Sequence, residues 1–356
     1  MSRCAIVFRV LPWSPSSSCA CQPVALRRVV RVSSLIDFKA HYCTPPVQQY
    51  KVPFIKSQTK MYVAEERGSP YSPDYRVFIK DASGPISAMH DIPLWADREK
   101  RILNMLVEVP RWTNAKMEIC LAEPLNPIRQ DVKKGALRYV ANVFPHRGYI
   151  WNYGALPQTW ENPQHVDPST QARGDNDPID VIEIGERVAS RGEVIQVKVL
   201  GTLALLDEGE TDWKLIAIDI RDPLAGSLND VNDVERLCPG LLRASVEWFR
   251  LYKIPDGKPP NEFAFGGEAK DAAFAYRIID EVHEFWRTMI SADGAPSDIC
   301  RTNVNVEGSP DRIETTEAAA ILAKAPSKGL AQPFPSSGKQ IPEPQILKVP
   351  THLIIP

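Results

Sequence analysis

The run Val194-Ile-Gln-Val-Lys-Val-Leu-Gly-Thr-Leu-Ala-Leu-Leu206, then Asp207-Glu-Gly-Glu-Thr-Asp212, then Trp213-Lys-Leu-Ile-Ala-Ile-Asp-Ile220, decides the fold class. Two apolar, β-branched runs flank an acidic stretch, which predicts two strands joined by a hairpin loop over 207–212. Asp207 and Asp212 then sit at the tips of paired antiparallel strands. Lys214 shares the face of Asp212, because side chains alternate with a period of two. Upstream, Arg101 to Val109, Met117 to Ile119, Leu137 to Val140 and Ile179 to Ile184 also read as strands, each bounded by Gly, Pro, Asn or Asp. Downstream the period changes. Leu241, Ser245, Trp248, Phe249 and Tyr252 fall at helical spacing, and Phe274, Ile278, Val282, Phe285, Trp286 and Met289 do so more strongly. Strands first and helices last predict an α+β, mainly β fold: an antiparallel barrel with flanking helices rather than an alternating, doubly wound sheet.

The chain has 356 residues, a length that suits one domain with tails. Its 42 basic and 44 acidic residues leave a net charge of -2, which argues against a dedicated nucleic-acid binder, whose domain is usually strongly basic. No stretch approaches the roughly 20 apolar residues that span a bilayer, so no membrane partner is expected. Seven scattered cysteines without CxxC spacing indicate neither a disulfide scaffold nor a zinc site. Residues 1–60 differ in kind: Arg3, Arg9, Arg27, Arg28 and Arg31 all precede the first acidic residue, Asp37, and serines cluster at 14–18. That is the composition of a mitochondrial transit peptide, although a start at Met61 would leave it untranslated. The expected address is therefore mitochondrial with the leader and cytoplasmic without it, with a nuclear one also compatible. The apolar periodicity is sustained from about 75 to 290, so one folded domain is expected over 61–290. Beyond it, 291–356 reads as an extension, proline-dense and disordered from about 325.

Asp175-Asn176-Asp177-Pro178-Ile179-Asp180 places three carboxylates within six residues at the entry to an apolar strand. In a uniform strand Asp175 and Asp177 face one way and Asp180 the other, so a turn at Pro178 is needed to gather them. Like charges so close repel unless a cation neutralises them, and oxygen ligands suit a hard divalent ion such as Mg²⁺. A solvated acidic turn or a structural Ca²⁺ loop fits the same residues, although the glycine and distant glutamate of an EF-hand are missing. Glu108, Lys116 and Glu118 form a further set, with Lys116 and Glu118 alternating onto one face of a short strand. Alone they read equally as a surface ion pair worth about 0 to 1 kcal/mol. Arg138 on a short strand, Tyr153, and Tyr252-Lys253 at the end of an aromatic helix carry the groups that hold phosphate oxygens. For the two tyrosines, core packing is the plainer reading.

Taken in order, Glu108-Val-Pro-Arg-Trp-Thr-Asn-Ala-Lys116-Met-Glu118, Asn152-Tyr-Gly-Ala-Leu-Pro-Gln-Thr-Trp-Glu161, Gly174-Asp-Asn-Asp-Pro-Ile-Asp180 and Leu206-Asp-Glu-Gly-Glu-Thr-Asp-Trp-Lys214 closely resemble the soluble family I inorganic pyrophosphatases of the eukaryotic, animal-like type. The resemblance runs from about Tyr71 to Met289 and includes Trp248-Phe-Arg-Leu-Tyr-Lys-Ile-Pro-Asp-Gly-Lys258. It implies a five-stranded, OB-like closed barrel with flanking helices, and a site at one mouth that binds several Mg²⁺ ions and inorganic diphosphate. It also implies roles. Asp175, Asp180 and Asp212 match ligands of the first metal, with Asp180 also reaching the second, while Asp207 and Glu118 match ligands of metals that arrive with substrate. Asp177 matches the residue that orients and deprotonates the attacking water. Lys116, Arg138, Tyr252 and Lys253 match diphosphate-binding groups, and Glu108, Tyr153 and Lys214 complete the pocket. None of these positions is substituted.

Relatives of this kind are usually homodimers, and Arg111-Trp112 resembles contact residues in some of them, while Arg147 stands at a position that varies. The rival enzyme class is another Mg²⁺-dependent phosphohydrolase acting on nucleotides or polyphosphate, but the sequence has no Gly-rich phosphate loop. OB-like barrels often bind nucleic acid, yet a mouth lined by carboxylates repels phosphate backbones. No direct nucleic-acid binding is expected, and a partner in a chromatin assembly stays compatible.

Overall fold

The two strands of the acidic hairpin are the longest in the computed structural model, which describes residues 61–291 and 298–331. The leader and the tail beyond 331 lie outside the described residues. In chain order come β1 (Val63–Arg67), β2 (Arg76–Asp81), β3 (Gly84–Ile86), β4 (Trp95–Asp97) and β5 (Ile102–Val109). Then follow β6 (Met117–Ile119), β7 (Ile128–Gln130), β8 (Val132–Lys133), β9 (Ala136–Leu137) and β10 (Asn152–Ala155). After β11 (Arg173–Gly174) and β12 (Asp180–Glu183) the hairpin forms from β13 (Val194–Asp207) and β14 (Glu210–Asp219). Helices α1 (Val231–Leu237) and α2 (Leu241–Leu251) precede β15 (Glu262–Phe263) and β16 (Lys270–Asp271); α3 (Ala272–Ser291) and α4 (Thr315–Lys324) complete the order.

β1, β2, β7 and β6 make a small sheet, with β3 also paired to β2. In the larger sheet β5 pairs with β10 and β13, β10 with β12, β12 with β14, and β14 with β13. Each of these five strands therefore has a partner on both sides, which satisfies backbone groups that an edge would leave open. The expected all-antiparallel arrangement is corrected here: β11 and β12 both run parallel to β14. Apolar alternation identifies a strand but carries no information on the direction of its neighbour.

The hairpin is also tighter than expected. Asp207 pairs with Glu210 across a two-residue turn in which Glu208 (φ 53°) and Gly209 (φ 94°) are both left-handed, as a hairpin turn matched to strand twist requires. Asp212 thus lies within the ladder opposite Leu205, not at the tip. The strands are buried on both faces. Along β14, Trp213, Leu215 and Ala217 join one apolar cluster with Ala275, Ile279 and Val282 of α3, while Ile216 and Ile218 join another with Trp151 and with Trp248 and Phe249 of α2. Double burial explains why β13 and β14 read as near-continuous apolar runs.

The packed body continues past Met289, where the apolar periodicity fades, because polar groups do the anchoring there. The buried Asp91 carboxylate accepts the backbone N–H groups of Ser87 (2.7 Å), Val304 (2.9 Å) and Asn305 (2.7 Å). Helix α4 then sets Ala318 and Leu322 against Phe78, Leu125 and Val304. Within the stretch read as the start of the tail, Gly68 N–H donates to Pro326 O and Gly329 N–H to Gly68 O.

His90 joins this segment to α3. Trp286 Nε1–H donates to His90 Nδ1 (3.0 Å), and an indole can only donate, so the ring proton sits on Nε2, 3.1 Å from the Cys300 carbonyl. Complete burial pushes the imidazole down from 6.5 to about 4. A folded pKa below the unfolded one means that the native state binds fewer protons between those values, so stability is lost as pH falls from about 6.5 towards 4. His90→Gln cannot ionise. The stability gap between wild type and His90→Gln, measured by denaturant unfolding, should narrow by about 2 kcal/mol from pH 7.5 to pH 5; a gap independent of pH would contradict a buried neutral His90.

Candidate active site

Three neighbouring strands each bring one polar side chain to the same point: Tyr153 on β10, Asp180 on β12 and Lys214 on β14. The register pairs Ala155 with Asp180 and Asp180 with Lys214. Tyr153 OH donates to the Asp180 carboxylate, and Lys214 Nζ donates to Asp180, to Asp212 and to Tyr153 OH (3.1 Å). The shared face of Lys214 and Asp212 is therefore present. Burial works to lower the Lys214 pKa, but Asp180 and Asp212 outweigh it and hold the ammonium well above its usual range. A β-bulge at Tyr153/Gly154 sets the tyrosine. Any Cβ at Gly154 would lie 2.0 Å from the Leu106 carbonyl oxygen, so only glycine lets β10 approach β5 there.

The Asp175–Asp180 stretch turns at Asn176 rather than at Pro178. Asn176 has φ 77°, and Asp177 N–H donates to Asp175 Oδ1 (3.0 Å). The loop is bonded to the chain at Glu161, whose carbonyl accepts Asn176 N–H (2.9 Å) and whose N–H donates to the Asp177 carbonyl (2.9 Å). Gly174 permits that approach, since a Cβ there would stand 2.5 Å from the Glu161 carbonyl group.

Glu161 itself is the residue the sequence reading missed as a site group. Its Oε1 accepts Trp213 N–H (3.0 Å), while its buried Oε2 has no hydrogen-bond partner. Carboxylate oxygens of Glu161, Asp175 and Asp212 lie within 4.8 Å of one another. Burial, then the neighbouring carboxylates, push Asp175 and Glu161 well above the usual carboxylate range. Asp212 rises to about 7 through burial and Asp180, against the pull of Lys214. Asp177 also reaches about 7 through burial, opposed by Lys116 and reinforced by Glu118 and Asp180, although its side chain still faces the open mouth. So many oxygens with so little compensating charge make a donor set suited to a hard divalent cation, and the orphaned Glu161 oxygen fits that demand.

The same cleft also carries cations. Lys116, just before β6, pairs with Glu118, so the expected juxtaposition of those two holds. Arg138 follows β9 instead of lying on a strand, and its guanidinium donates to Asp131 (2.9 Å). Tyr252 caps α2, stacked on Trp248 with centroids 4.9 Å apart. The next residue, Lys253, donates to Asp207, which Tyr252 OH approaches at 3.4 Å. Glu108 is buried and accepts Ile119 N–H (2.7 Å); burial and then Asp180 push its pKa well up. Arg138, Asp175, Asp207, Asp212, Lys214, Tyr252 and Lys253 line one cleft and Glu108 and Glu118 an adjoining one, and Lys116, Tyr153, Asp177 and Asp180 line both, so every site residue read from the sequence borders one cleft or the other.

Known proteins bear on this arrangement. A family model described as "Inorganic pyrophosphatase" matches residues 105–287, a span that contains Glu108 through Lys253. A Drosophila melanogaster protein named "Inorganic pyrophosphatase" is 62% identical over 270 residues, covering 76% of this chain and 80% of that protein. A Bos taurus protein of the same name is 57% identical over 266 residues, covering 74% of this chain and 91% of its own length. The solved structure of inorganic pyrophosphatase from Schistosoma japonicum superposes with a TM-score of 0.73 at 50% identity, covering 80% of this chain and 99% of that one. Identity at this level, over nearly the whole of a solved relative and across the entire cleft, has one reading: this chain belongs to the inorganic pyrophosphatase family.

Proposed function

We propose that the protein hydrolyses inorganic diphosphate to two phosphates with the help of several Mg²⁺ ions. The observation that carries this is one cleft lined both by clustered carboxylates and by Lys116, Arg138, Tyr252 and Lys253. Asp175, Asp180 and Asp212, with the free oxygen of Glu161, would hold the first ion; Asp180 would also serve a second, and Asp207 and Glu118 further ions that come with substrate. Such ions, when bound, supply neutralisation of the substrate's charge and a more acidic attacking water. The ring of pairings through β5, β10, β12, β14 and β13 supports a five-stranded, OB-like closed barrel as the frame.

The chain's own groups divide the chemistry. The ammonium and guanidinium groups bind phosphoryl oxygens and screen the charge that collects on them in the transition state. The Asp177 carboxylate, exposed at the mouth of the cleft, takes a proton from the attacking water. As the new P–O bond forms and the bridging P–O bond breaks, the Tyr252 hydroxyl is placed to donate to the departing phosphate. Tyr153 and Lys214 hold the Asp180 and Asp212 oxygens in position, and Glu108 lines the adjoining cleft. A homodimer through the face of the exposed Trp112 accompanies this reading, as does an address set by residues 1–60.

Purified protein should release phosphate from diphosphate with Mg²⁺, lose that activity in chelator and be suppressed by Ca²⁺; a folded protein that releases none would refute the proposal. Asp177→Asn should lower kcat by about 100-fold or more with KM changed only a few-fold, because it removes proton transfer and not substrate contacts. Turnover equal to wild type would remove Asp177 from that role.

A further inference from the structure

Asn176 stands between two carboxylates in a left-handed conformation that asparagine tolerates better than most residues but that still costs energy. Both ends of its side-chain amide are engaged. Oδ1 accepts from Trp160 Nε1 (3.0 Å), and Nδ2 donates to Asp298 (2.9 Å). With the backbone bond from Asn176 N–H to Glu161, three contacts fix one residue. Trp160 is buried, and its backbone N–H donates to the Val282 carbonyl of α3, so that anchor belongs to the core. Asp298 lies elsewhere: it follows α3, outside every element that builds the cleft.

We propose that Asn176 is a positioning residue for Asp177, and that Asp298, from the segment beyond α3, sets the orientation of its amide; this rests on the diphosphate-hydrolysis reading. The two side-chain bonds help to hold Asn176 at its φ of 77°, and a change in that φ or in its ψ would turn the peptide planes on either side, and with them the directions in which Asp175 and Asp177 present their oxygens. A solvent-exposed amide–carboxylate bond contributes little to stability, whereas a displacement of about 1 Å in a reacting group can cost as much as 100-fold in rate. The contact should therefore register in turnover and not in melting temperature.

The test uses the full chain with diphosphate and Mg²⁺. Asp298→Ala should lower kcat by about 3- to 10-fold with KM and Tm unchanged, and Asp298→Asn, which keeps an acceptor oxygen without the charge, should restore it. Asn176→Gly, which keeps the left-handed backbone but loses both side-chain bonds, should lower kcat by about 10-fold or more. The indole N–H resonance of Trp160, assigned through Trp160→Phe, should shift in Asp298→Ala and return in Asp298→Asn. Wild-type turnover in Asp298→Ala, failure of Asp298→Asn to restore it, or a fall in the kcat of Asp298→Ala matched by a fall in its Tm would overturn the inference in an active enzyme. A wild-type chain without diphosphatase activity would instead overturn the functional reading beneath it.

Discussion

The buried ammonium of Lys214 is the contact on which the cleft depends. It is 2% exposed and donates to Asp180 and Asp212, two carboxylates that would otherwise face each other in a low-dielectric interior. Its place is fixed by backbone pairing: β12 runs parallel to β14 in a register that sets Asp180 beside Lys214, and Asp212 lies two residues away on the same face. Removing one partner from such a buried group typically costs about 3–5 kcal/mol, since it strands the others without compensation. One ammonium does not serve every oxygen present. Asp175, Asp177 and Glu161 remain crowded, and that deficit of positive charge is what the cleft offers a divalent cation.

The cations of the cleft follow the same logic with the sign reversed. Lys116, Arg138 and Lys253 each rest on a carboxylate, Glu118, Asp131 and Asp207 respectively. These pairs hold three flexible side chains over the cleft before any anion enters, so less ordering remains to be done on binding. Two of the partners, Glu118 and Asp207, are themselves oxygen donors suited to a metal ion. A metal and an anionic substrate bound together would let each charge exchange a protein partner for one of opposite sign.

Much of this was legible in the sequence. The strands Val194–Asp207 and Glu210–Asp219 and the helices Leu241–Leu251 and Ala272–Ser291 follow their apolar periods, and the carboxylate clusters mark the cleft. Three things were not legible, for separate reasons. The parallel course of β12 beside β14 was hidden because alternation is blind to direction. Glu161 lacks acidic neighbours in sequence and owes its role to the loop that Gly174 lets press against it. The segment from Ile299 to Lys324 lacks an apolar stripe because backbone N–H bonds to Asp91 hold it, with only Ala318 and Leu322 of α4 buried.

The central claim is that a stable fold carries a charge-crowded cleft which a divalent cation relieves. Denaturant unfolding of wild type and Asp175→Asn, each in chelator and in Mg²⁺, tests it most directly. Asparagine keeps the oxygen that accepts Asp177 N–H and removes one charge from the crowd. The account predicts that Asp175→Asn is more stable than wild type in chelator and gains less from Mg²⁺. A variant less stable in chelator, or one that gains as much from Mg²⁺ as wild type, would contradict it.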